Sequence, residues 1–455
     1  MKENFNNFIN MVKNKKVAVV GIGISNIPLI SMLVKLDAIV TAFDQKEFDE
    51  LDEEAKVLKD LNIEFILGKD YLNYLKGFDV IFKTPSMRID SEELVNAKRE
   101  GAYITSEMEE FIKYCPCKII GVTGSDGKTT TTSLIYELLK KQGYKTFVGG
   151  NIGNPLLPRI NEMSKDDRVV LELSSFQLMT IHESPQVAIV TNISPNHLDI
   201  HKDMKEYIQA KKNIFKYQTS KDLLVLNADN EITRGFIDEA RGRPLVYRRV
   251  LTFSKKDRYA DGYIYDGTIY MFGMILISAD EVLIKGDYNL ENLIAACLAV
   301  YNDVTIENTR YVARTFKGIP HRNEFIREKS GVKYYNNSIA SSPTRTVAAL
   351  SAFDGNVVLI LGGHDKKISF EPLLEGMGKV KAAILFGETK YMIKEVLQDK
   401  VPLYIEDTLE DVVRRASEIS RDGDVVLLAP ACSSFDMFKN FEVRGDKFRE
   451  LVMKL

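Results

Sequence analysis

Short apolar runs alternate with longer segments of helical pattern along the first hundred residues of the chain. Lys16-Val-Ala-Val-Val20 is a continuous apolar run that predicts a buried strand, and a helical pattern follows it. Further strands are predicted at 38–43, at 80–83 and near Ile104. Because strands separated by helices are typical of a parallel sheet, this part predicts a doubly wound, Rossmann-like unit.

The same alternation continues in two further units. The second begins near Ser106, with predicted strands at 118–122, 168–173, 186–191 and 222–226, short strands within 249–284, and a helix at 289–300. The third begins near Ile319, with predicted strands at 357–361, 382–386 and 425–428. We therefore predict an α/β protein of three domains, a Rossmann-like N-terminal domain at 1–107, a central domain at 108–318 and a Rossmann-like C-terminal domain at 319–455.

Composition and charge exclude several classes of protein. The 455 residues are 45% hydrophobic and 27% charged with a net charge of −3, so the chain resembles ordinary globular protein and offers no strong field for nucleic acid. The four cysteines form no disulfide framework, and we expect them to be reduced in a cytoplasm. No run reaches the roughly 18 apolar residues of a membrane span, and the N-terminus lacks a signal-peptide profile. We expect a monomer.

The segment Gly121-Val-Thr-Gly-Ser-Asp-Gly-Lys-Thr-Thr130 carries the strongest chemical signal. A glycine-rich turn between a buried strand and a helix directs backbone N–H groups and the positive helix end at an anion. Lys128 can reach terminal phosphates, and the Thr129 hydroxyl can bind Mg²⁺. The segment predicts a nucleoside-triphosphate site in a P-loop ATPase-like central domain. Its first glycine is at 121, whereas the usual pattern needs one at 122, where this chain has Val122.

The N-terminal unit carries a weaker signal. The turn Gly21-x-Gly23-x-x-Asn26 lacks the third glycine of the dinucleotide fingerprint, although Asp44 ends the second strand, where an acidic side chain commonly meets a ribose. These features fit some nucleotide or phosphate ligand without indicating NAD.

Three further residues of the central unit bear functional groups. Glu172 lies within an apolar strand, where a carboxylate is costly to bury unless it is paired or bound to a metal. His197 follows the next strand, so both residues are expected beside the phosphate-bound Mg²⁺. His197 and His201 also have the i, i+4 spacing of zinc ligands, a less favoured alternative because no third ligand is evident. Lys211, by its pattern alone, is a lysine on a helix surface.

Together these segments resemble the Mur ligase family of ATP-dependent, amide-forming enzymes. The family's phosphate loop has the form Gly-x-Thr-Gly-x-x-Gly-Lys-Thr, which matches Gly121 to Thr129. Other segments are similar to members that add D-glutamate to UDP-N-acetylmuramoyl-L-alanine, and the resemblance runs from about residue 16 to 454. These segments are Gly149-Gly-Asn-Ile-Gly153, Leu171-Glu-Leu-Ser-Ser-Phe-Gln-Leu178, Gly318-Ile-Pro-His-Arg322, Pro430-Ala-Cys-Ser-Ser434 and Phe438-Lys-Asn-Phe441.

The resemblance implies a role for each matching residue. It implies catalytic roles for Lys128, His197 and Lys211, with Lys211 carbamylated by CO₂ and two Mg²⁺ ions as cofactors. The implied metal ligands are Thr129, Glu172, His197 and carbamylated Lys211. The implied ATP contacts are Gly124, Asp126, Gly127, Lys128, Thr129, Thr130, Asn292 and Arg322. The implied contacts to UDP-N-acetylmuramoyl-L-alanine are Ile24, Ser25, Asp44, Gln45, Asn151, Ser174 and Gln177, and those to D-glutamate are Ser341, Lys366, Ser434, Phe435 and Phe441.

The chain departs from the family pattern at several positions. The third-domain motif Asn-Asp-Ser-Lys-Ala-Thr reads Asn336-Asn-Ser-Ile-Ala-Ser341, so its Asp and Lys are Asn337 and Ile339. Arg345 is the nearby residue that could supply the missing positive charge. Tyr288 stands where the family has a His, and the loop Thr84-Pro-Ser86 replaces Ser-Pro-Gly.

The resemblance implies a reaction that joins an alanyl carboxylate to D-glutamate through an acyl phosphate. Because an acyl phosphate is easily hydrolysed, we expect the third domain to close over the site about a hinge at Pro320. Three alternatives stay open: a Mur-type ligase for another amino acid, a nucleotide-binding member with reduced activity, and an NAD-dependent oxidoreductase.

Overall fold

The chain forms three separate β-sheets in a computed structural model that describes residues 4–23, 25–51, 53–195, 200–241, 249–284 and 286–455. It divides into two compact units. One extends to Ile277 and includes Glu291–Val312, and the other comprises Ser278–Leu290 and Ala313–Leu455. The N-terminal and central sheets belong to the first unit. No helix in the described ranges is long and apolar enough to cross a membrane.

The N-terminal sheet has five parallel strands in the order β3-β2-β1-β4-β5. The apolar residues of β1 and β4 fill the core on both faces of the sheet, which explains their continuous apolar runs. This order confirms the Rossmann-like prediction. The strands are β1 Lys16–Val20, β2 Ile39–Asp44, β3 Glu64–Leu67, β4 Val80–Lys83 and β5 Tyr103–Thr105, and the helices are α1 Phe5–Val12, α2 Asn26–Lys35, α3 Glu53–Lys56, α4 Glu92–Arg99 and α5 Glu107–Tyr114.

The central sheet has nine strands in the order β14-β13-β12-β11-β10-β9-β6-β8-β7. The seven strands from β7 to β12 pair in parallel, and β13 pairs antiparallel with β12. The carboxyl ends of β6, β8 and β9 therefore meet at one edge. The strands are β6 Lys118–Thr123, β7 Thr146–Gly150, β8 Arg168–Glu172, β9 Val187–Val190, β10 Leu223–Asn227, β11 Arg249–Ser254, β12 Gly262–Tyr265, β13 Thr268–Met271 and β14 Met274–Ser278. The helices are α6 Lys128–Gln142, α7 Ser175–Leu178, α8 Met204–Lys216, α9 Glu231–Arg241, α10 Asp287–Ala299 and α11 Ile306–Thr315.

The third sheet has the order β15-β16-β20-β17-β18-β19, with only β15 antiparallel to its neighbour. Apolar side chains of β17 and β20 pack on both faces. The strands are β15 Glu324–Lys329, β16 Val332–Asn336, β17 Val357–Gly362, β18 Val380–Phe386, β19 Leu403–Ile405 and β20 Val425–Leu428, and the helices are α12 Pro343–Leu350, α13 Lys390–Leu397, α14 Leu409–Ile419 and α15 Phe441–Lys454. The α/β fold is as predicted, whereas the three domain boundaries stay a prediction.

Candidate active site

The phosphate loop joins the end of β6 to the first turn of α6. Gly124 has a φ of 151° and Gly127 a φ of 79°, values that L side chains rarely adopt. A Cβ atom on Gly124 would lie 1.9 Å from the Thr191 hydroxyl, and one on Gly127 would lie 2.3 Å from Asn292 Oδ1. Both positions therefore need glycine for backbone conformation and for close approach of a neighbour. The contact with Gly127 also places Asn292, a predicted ATP residue, beside the loop.

Gly121 is required for a different reason. Its backbone has no positive φ, but a Cβ atom would lie 2.7 Å from Pro185 Cγ and 3.3 Å from Leu173 Cδ1. Glycine at this position lets β6 pack closely against the segment before β9. Val122 is fully buried. Packing beneath the loop thus explains why the glycine falls at 121.

The segment after β9 holds the phosphate loop in place. The Asp126 amide donates to Asn192 Oδ1 at 2.9 Å, and the Thr191 hydroxyl donates to the Asp126 carbonyl at 2.6 Å. The Ser125 amide donates to the Asn192 carbonyl at 2.9 Å, and the Ser125 hydroxyl lies 2.9 Å from the Tyr207 hydroxyl. These bonds fix the loop before any ligand arrives, which is the preorganisation that electrostatic catalysis requires.

Lys128 and the two following threonines begin helix α6. The Lys128 ammonium donates to the carbonyls of Gly124 and Ser125 at 3.0 and 2.9 Å, which holds its positive charge over the phosphate loop. Thr129 is half-buried and Thr130 is buried. Their placement at the helix start fits the predicted contacts with ATP phosphates and Mg²⁺.

Glu172 ends strand β8 and is only 2% exposed. Its Oε1 atom accepts a hydrogen bond from Asn151 Nδ2 at 3.0 Å, whereas its buried Oε2 atom has no hydrogen-bond partner among the described residues. A carboxylate oxygen buried without a donor is costly. A divalent cation would satisfy it, so Glu172 fits the role of metal ligand, and Asn151 orients its other oxygen.

Lys211 lies on the buried face of α8 and is 2% exposed. Its amine donates to the Gly124 carbonyl at 2.7 Å and lies 3.4 Å from the Thr123 hydroxyl. Burial, followed by the positive charge of Lys128, lowers the pKa of Lys211 to about 7. The interpretation as a surface lysine is therefore wrong, and the residue sits beneath the phosphate loop with an amine that is partly neutral near pH 7.

Ser174 and Gln177 form a capping box at the start of the short helix α7. The Ser174 hydroxyl accepts from the Gln177 amide at 3.3 Å, and Gln177 Oε1 accepts from the Ser174 amide at 3.0 Å. Both lie within five residues of Glu172, after the carboxyl end of β8. The structure therefore brings the predicted substrate contacts Asn151, Ser174 and Gln177 to the same edge as the phosphate loop.

His201 is a buried structural histidine. Its Nε2 atom lies 2.8 Å from the Ser175 hydroxyl, its Nδ1 atom lies 3.4 Å from a Glu206 carboxylate oxygen, and its ring stacks on Phe176 with centroids 5.0 Å apart. These contacts give no support to the zinc alternative. In the described residues, no group of three or more His, Cys, Asp and Glu side chains is arranged to hold a metal. His197 lies outside the described residues.

The Asp44 carboxylate organises the turn after β1 in the N-terminal sheet. Its oxygens accept from the amides of Ile22 at 2.7 Å and Lys46 at 2.9 Å. Asn26 takes the place of the missing third glycine, and its side-chain Nδ2 atom donates to the Gly21 carbonyl at 2.8 Å. Among the predicted neighbours of the uridine diphosphate, Ser25 precedes α2, Gln45 is exposed after β2, and Ile24 lies outside the described residues.

The sequence matches two protein-family models. The model described as Mur ligase middle domain covers residues 122–300, and the one described as Mur ligase, glutamate ligase domain covers residues 321–432. The chain is 56% identical to the UDP-N-acetylmuramoylalanine--D-glutamate ligase of Clostridium novyi (strain NT), with 100% of each chain covered. The chain belongs to the Mur ligase family. It is an ATP-dependent ligase that forms amide bonds, and the oxidoreductase alternative does not apply to it.

Two solved Mur ligase structures share this fold. UDP-N-acetylmuramate-alanine ligase MurC from Thermotoga maritima has a TM-score of 0.58 at 19% identity, covering 97% of this chain and 99% of that chain. MurF ligase from Thermotoga maritima in complex with ADP has a TM-score of 0.55 at 20% identity, covering 98% and 96%. At these identities the likeness extends to the fold alone.

The residues that the Mur ligase resemblance assigns to D-glutamate follow neighbouring strands of the third sheet. Ser341 follows β16, Lys366 follows β17 and Ser434 follows β20. The Lys366 amine donates to the Ser341 carbonyl at 3.1 Å. Phe441 begins α15, and the Phe435 side chain is 69% exposed. The structure thus brings these loops to one edge of the third sheet.

Sequence reasoning missed Arg444, which is fully buried on α15. Its guanidinium donates to the Ser338 hydroxyl and carbonyl and to the carbonyls of Cys432 and Ser433, at 2.9 to 3.1 Å. It therefore ties together the loops after β16 and β20. A usable signal was present, because Arg444 lies four residues before the buried Phe448 and so falls on the core face of the helix.

Two of the departures from the Mur ligase pattern, Asn337 and Ile339, lie in the loop after β16. Asn337 is buried, donates through its amide to the Leu428 carbonyl at 2.7 Å and accepts from the Asn323 amide at 3.3 Å. Ile339 is half-buried, and Arg345 and Arg322 are exposed. The hydrogen bonds of Asn337 need no negative charge, which explains how the loop keeps its form without the Asp.

Proposed function

We propose that this chain adds D-glutamate to UDP-N-acetylmuramoyl-L-alanine at the expense of ATP, yielding ADP and phosphate, as a step of peptidoglycan precursor synthesis in the cytoplasm. The observation that carries the proposal is the full-length 56% identity to a relative named for that activity. The site described above supplies the chemistry that such a reaction needs. The partners are small molecules, and we propose that the chain acts as a monomer.

The phosphate loop and Lys128 are the groups that bind the triphosphate. Backbone N–H groups at the start of α6 and the Lys128 ammonium offset the charge on the γ-phosphoryl group as an alanyl carboxylate oxygen attacks it and ADP leaves. The product of this step is an acyl phosphate. Most of the acceleration comes from positioning and electrostatics, since the protein forms no covalent bond here.

The unsatisfied Glu172 oxygen, together with Thr129, supports a divalent-cation site beside the loop. When bound, Mg²⁺ supplies charge neutralisation for the phosphoryl oxygens. The resemblance also implies His197 as a ligand, and two ions in total. Glu172 and Asn151 hold their orientation through a direct hydrogen bond, so the carboxylate is aimed before the cation binds.

Lys211 fits the proposed carbamate because CO₂ reacts with an amine only in its neutral form. With its pKa at about 7, the amine is about nine-tenths neutral at pH 8, whereas an ordinary lysine is below about 1% neutral. The carbamate would convert a buried cation into an anion close to Glu172 and the loop, and a cation beside it would offset that charge. We therefore propose carbamylated Lys211 as the ligand of a second Mg²⁺.

The second step joins the amino acid. The amine of D-glutamate attacks the acyl carbon, the tetrahedral intermediate expels phosphate, and the amine loses a proton to a base or to water. The loops that carry Ser341, Lys366, Ser434, Phe435 and Phe441 support the proposal that the third domain binds D-glutamate. Closure about Pro320 stays a prediction.

The proposal is tested with purified protein, ATP, Mg²⁺ and UDP-N-acetylmuramoyl-L-alanine, by measuring phosphate release for a panel of amino acids. We expect release that depends on D-glutamate, with L-glutamate as the matched control that fails. Equal release with meso-diaminopimelate or L-lysine would indicate a Mur-type ligase for another amino acid.

A second candidate, a nucleotide-binding Mur ligase with reduced activity, is favoured by Asn337 and Ile339. In that case the same protein would bind ATP in a calorimetric titration and release phosphate only slowly with every amino acid.

A further inference from the structure

Arg88, in the loop after β4, uses all five of its N–H groups. Nε and Nη2 donate to the two oxygens of Asp90 at 2.8 and 3.1 Å. Nη1 and Nη2 donate to the two oxygens of Glu206 at 3.0 and 2.7 Å, and Nη1 also donates to the Ile200 carbonyl at 2.9 Å. Glu206 is in the first turn of α8. A bidentate arginine therefore joins the N-terminal sheet to the central sheet, which belong to one compact unit.

Glu206 contacts residues from both the N-terminal and the central part of the chain. Its Oε2 atom also accepts from the Lys202 amide at 2.8 Å and faces His201 Nδ1 at 3.4 Å. The hydrogen bonds from Arg88, the largest cause, lower the pKa of Glu206 to about 2, so the carboxylate is ionised throughout the physiological range. Lys202 adds a second link between the sheets through Asp90, at 2.6 Å.

The contacts continue from Glu206 to the candidate active site by two routes. His201 contacts the Ser175 hydroxyl at 2.8 Å and stacks on Phe176, and these residues begin the helix that Ser174 caps. Helix α8 itself carries Tyr207, whose hydroxyl lies 2.9 Å from that of Ser125 in the phosphate loop. The loop after β4 is thus connected, through His201 and through α8, to the start of α7 and to the phosphate loop.

We propose that Arg88, Glu206 and His201 form a latch that fixes the spacing between the N-terminal and central subsites for the nucleotide-sugar substrate. The three are positioning residues, because they act through the start of α7 and the loop after β4 rather than on the reacting atoms. The inference rests on the proposed function, since it needs a substrate whose nucleotide end is held by the N-terminal sheet and whose carboxylate is held by the central sheet.

A substrate held at two points gains affinity from a fixed distance between them. When the two subsites move independently, the effective concentration of the second end falls and binding weakens. ATP is held at the phosphate loop of the central sheet, so it gains much less from the latch. The expected signature is therefore a loss of affinity for the nucleotide-sugar that leaves ATP binding nearly unchanged.

The test measures calorimetric binding of UDP-N-acetylmuramoyl-L-alanine and of ATP to the full chain, wild type and Arg88→Met, Glu206→Gln and the double variant. We expect Kd for the nucleotide-sugar to rise about tenfold in each single variant, and the double variant to be no weaker than the singles. ATP binding should stay within about twofold. Arg88→Lys keeps the positive charge but loses the paired N–H donors of the guanidinium. It should therefore bind the nucleotide-sugar more tightly than Arg88→Met and less tightly than wild type.

Arg159→Met is the matched control, because Arg159 donates to both carboxylate oxygens of Glu162 within one short segment that precedes β8, so the pair does not link the two sheets. It should bind like wild type. Thermal unfolding shows whether each variant is folded. If Arg88→Met is unfolded, the comparison is made with Arg88→Lys and Glu206→Gln instead.

Unchanged nucleotide-sugar binding in folded variants would overturn the latch, as would an equal loss of ATP binding or additive losses in the double variant. The proposed function fails separately, if wild type binds both ligands but releases no phosphate with D-glutamate. A wild-type chain that does not bind the nucleotide-sugar overturns both.

Discussion

Replacing Gly121 with alanine adds one methyl group beneath the phosphate loop. The new Cβ atom would lie 2.7 Å from Pro185 Cγ and 3.3 Å from Leu173 Cδ1, so strand or loop must shift. Overpacking of this kind costs about 1–3 kcal/mol. The loss of a flexible glycine from the unfolded chain offsets about 0.4–1 kcal/mol, since the φ at 121 suits alanine. We expect a net loss of about 1–2 kcal/mol.

The assay is thermal and urea unfolding of Gly121→Ala, with ATP affinity measured beside it. The melting temperature should fall by roughly 2–8 °C, and ATP binding should weaken because β6 leads into the loop. Gly235→Ala is the control. Gly235 lies in α9 with no atom near its would-be Cβ, and the change should stabilise the chain by about 0.4–1 kcal/mol.

A compensating change isolates the contact. Pro185→Ala removes the atom nearest to the new methyl group, so the double variant Gly121→Ala/Pro185→Ala should be more stable than the sum of the two single effects predicts, by about 1 kcal/mol. If Gly121→Ala proves as stable as wild type, or if the two effects are additive, close packing does not explain the glycine at 121.

Three further predictions concern buried charges. Lys211→Met should abolish turnover. The pKa of Lys211 is about 7 in the folded chain and 10.5 in the unfolded chain, so the buried charge lowers the free energy of unfolding. This loss is complete below pH 7, shrinks as the pH rises, and is gone above about pH 10.5. The variant should therefore melt higher than wild type at pH 7 in CO₂-free buffer, and an equal gain at pH 10 would contradict this. Asp303→Asn leaves Lys118 and Arg168 without the carboxylate they contact at 2.6 and 3.0 Å, so urea unfolding should show a loss of about 2–4 kcal/mol, and a loss within error would count against it. Glu172→Gln should weaken Mn²⁺ binding, measured by electron paramagnetic resonance in the presence of ATP, and should lower turnover by at least about 100-fold. Unchanged Mn²⁺ binding would rule out the ligand role.

The buried parallel strands could be predicted from the sequence because their two covered faces demand continuous apolar runs. Strands 16–20, 80–83, 357–361 and 425–428 were found within one residue of the observed ends. Strand β15, Glu324–Lys329, was missed because it lies on the edge of the sheet and most of its residues are charged, so it has no continuous apolar run. Strand β19 was missed because only three residues pair.

How much of the candidate active site could be predicted depends on how far apart its residues lie in the sequence. The phosphate loop is local, so its strand, turn and helix could be recognised from ten consecutive residues. Contacts between residues that lie far apart in the sequence could not be predicted in this way. The buried environment of Lys211 depends on Gly124, 87 positions away, and its helix looks amphipathic and exposed in isolation. The Glu206 contact with Arg88 spans 118 positions, and no periodicity reports such a pair.

The central claim is that the alanyl carboxylate is activated as an acyl phosphate before D-glutamate attacks. The most direct test uses UDP-N-acetylmuramoyl-L-alanine with ¹⁸O in both carboxylate oxygens, together with ATP, Mg²⁺ and D-glutamate, followed by mass spectrometry of the released phosphate. Attack on the γ-phosphoryl group leaves one carboxylate oxygen on phosphorus, so the account predicts one ¹⁸O atom in each phosphate and one in the new amide. Unlabelled phosphate formed alongside the amide product would contradict it.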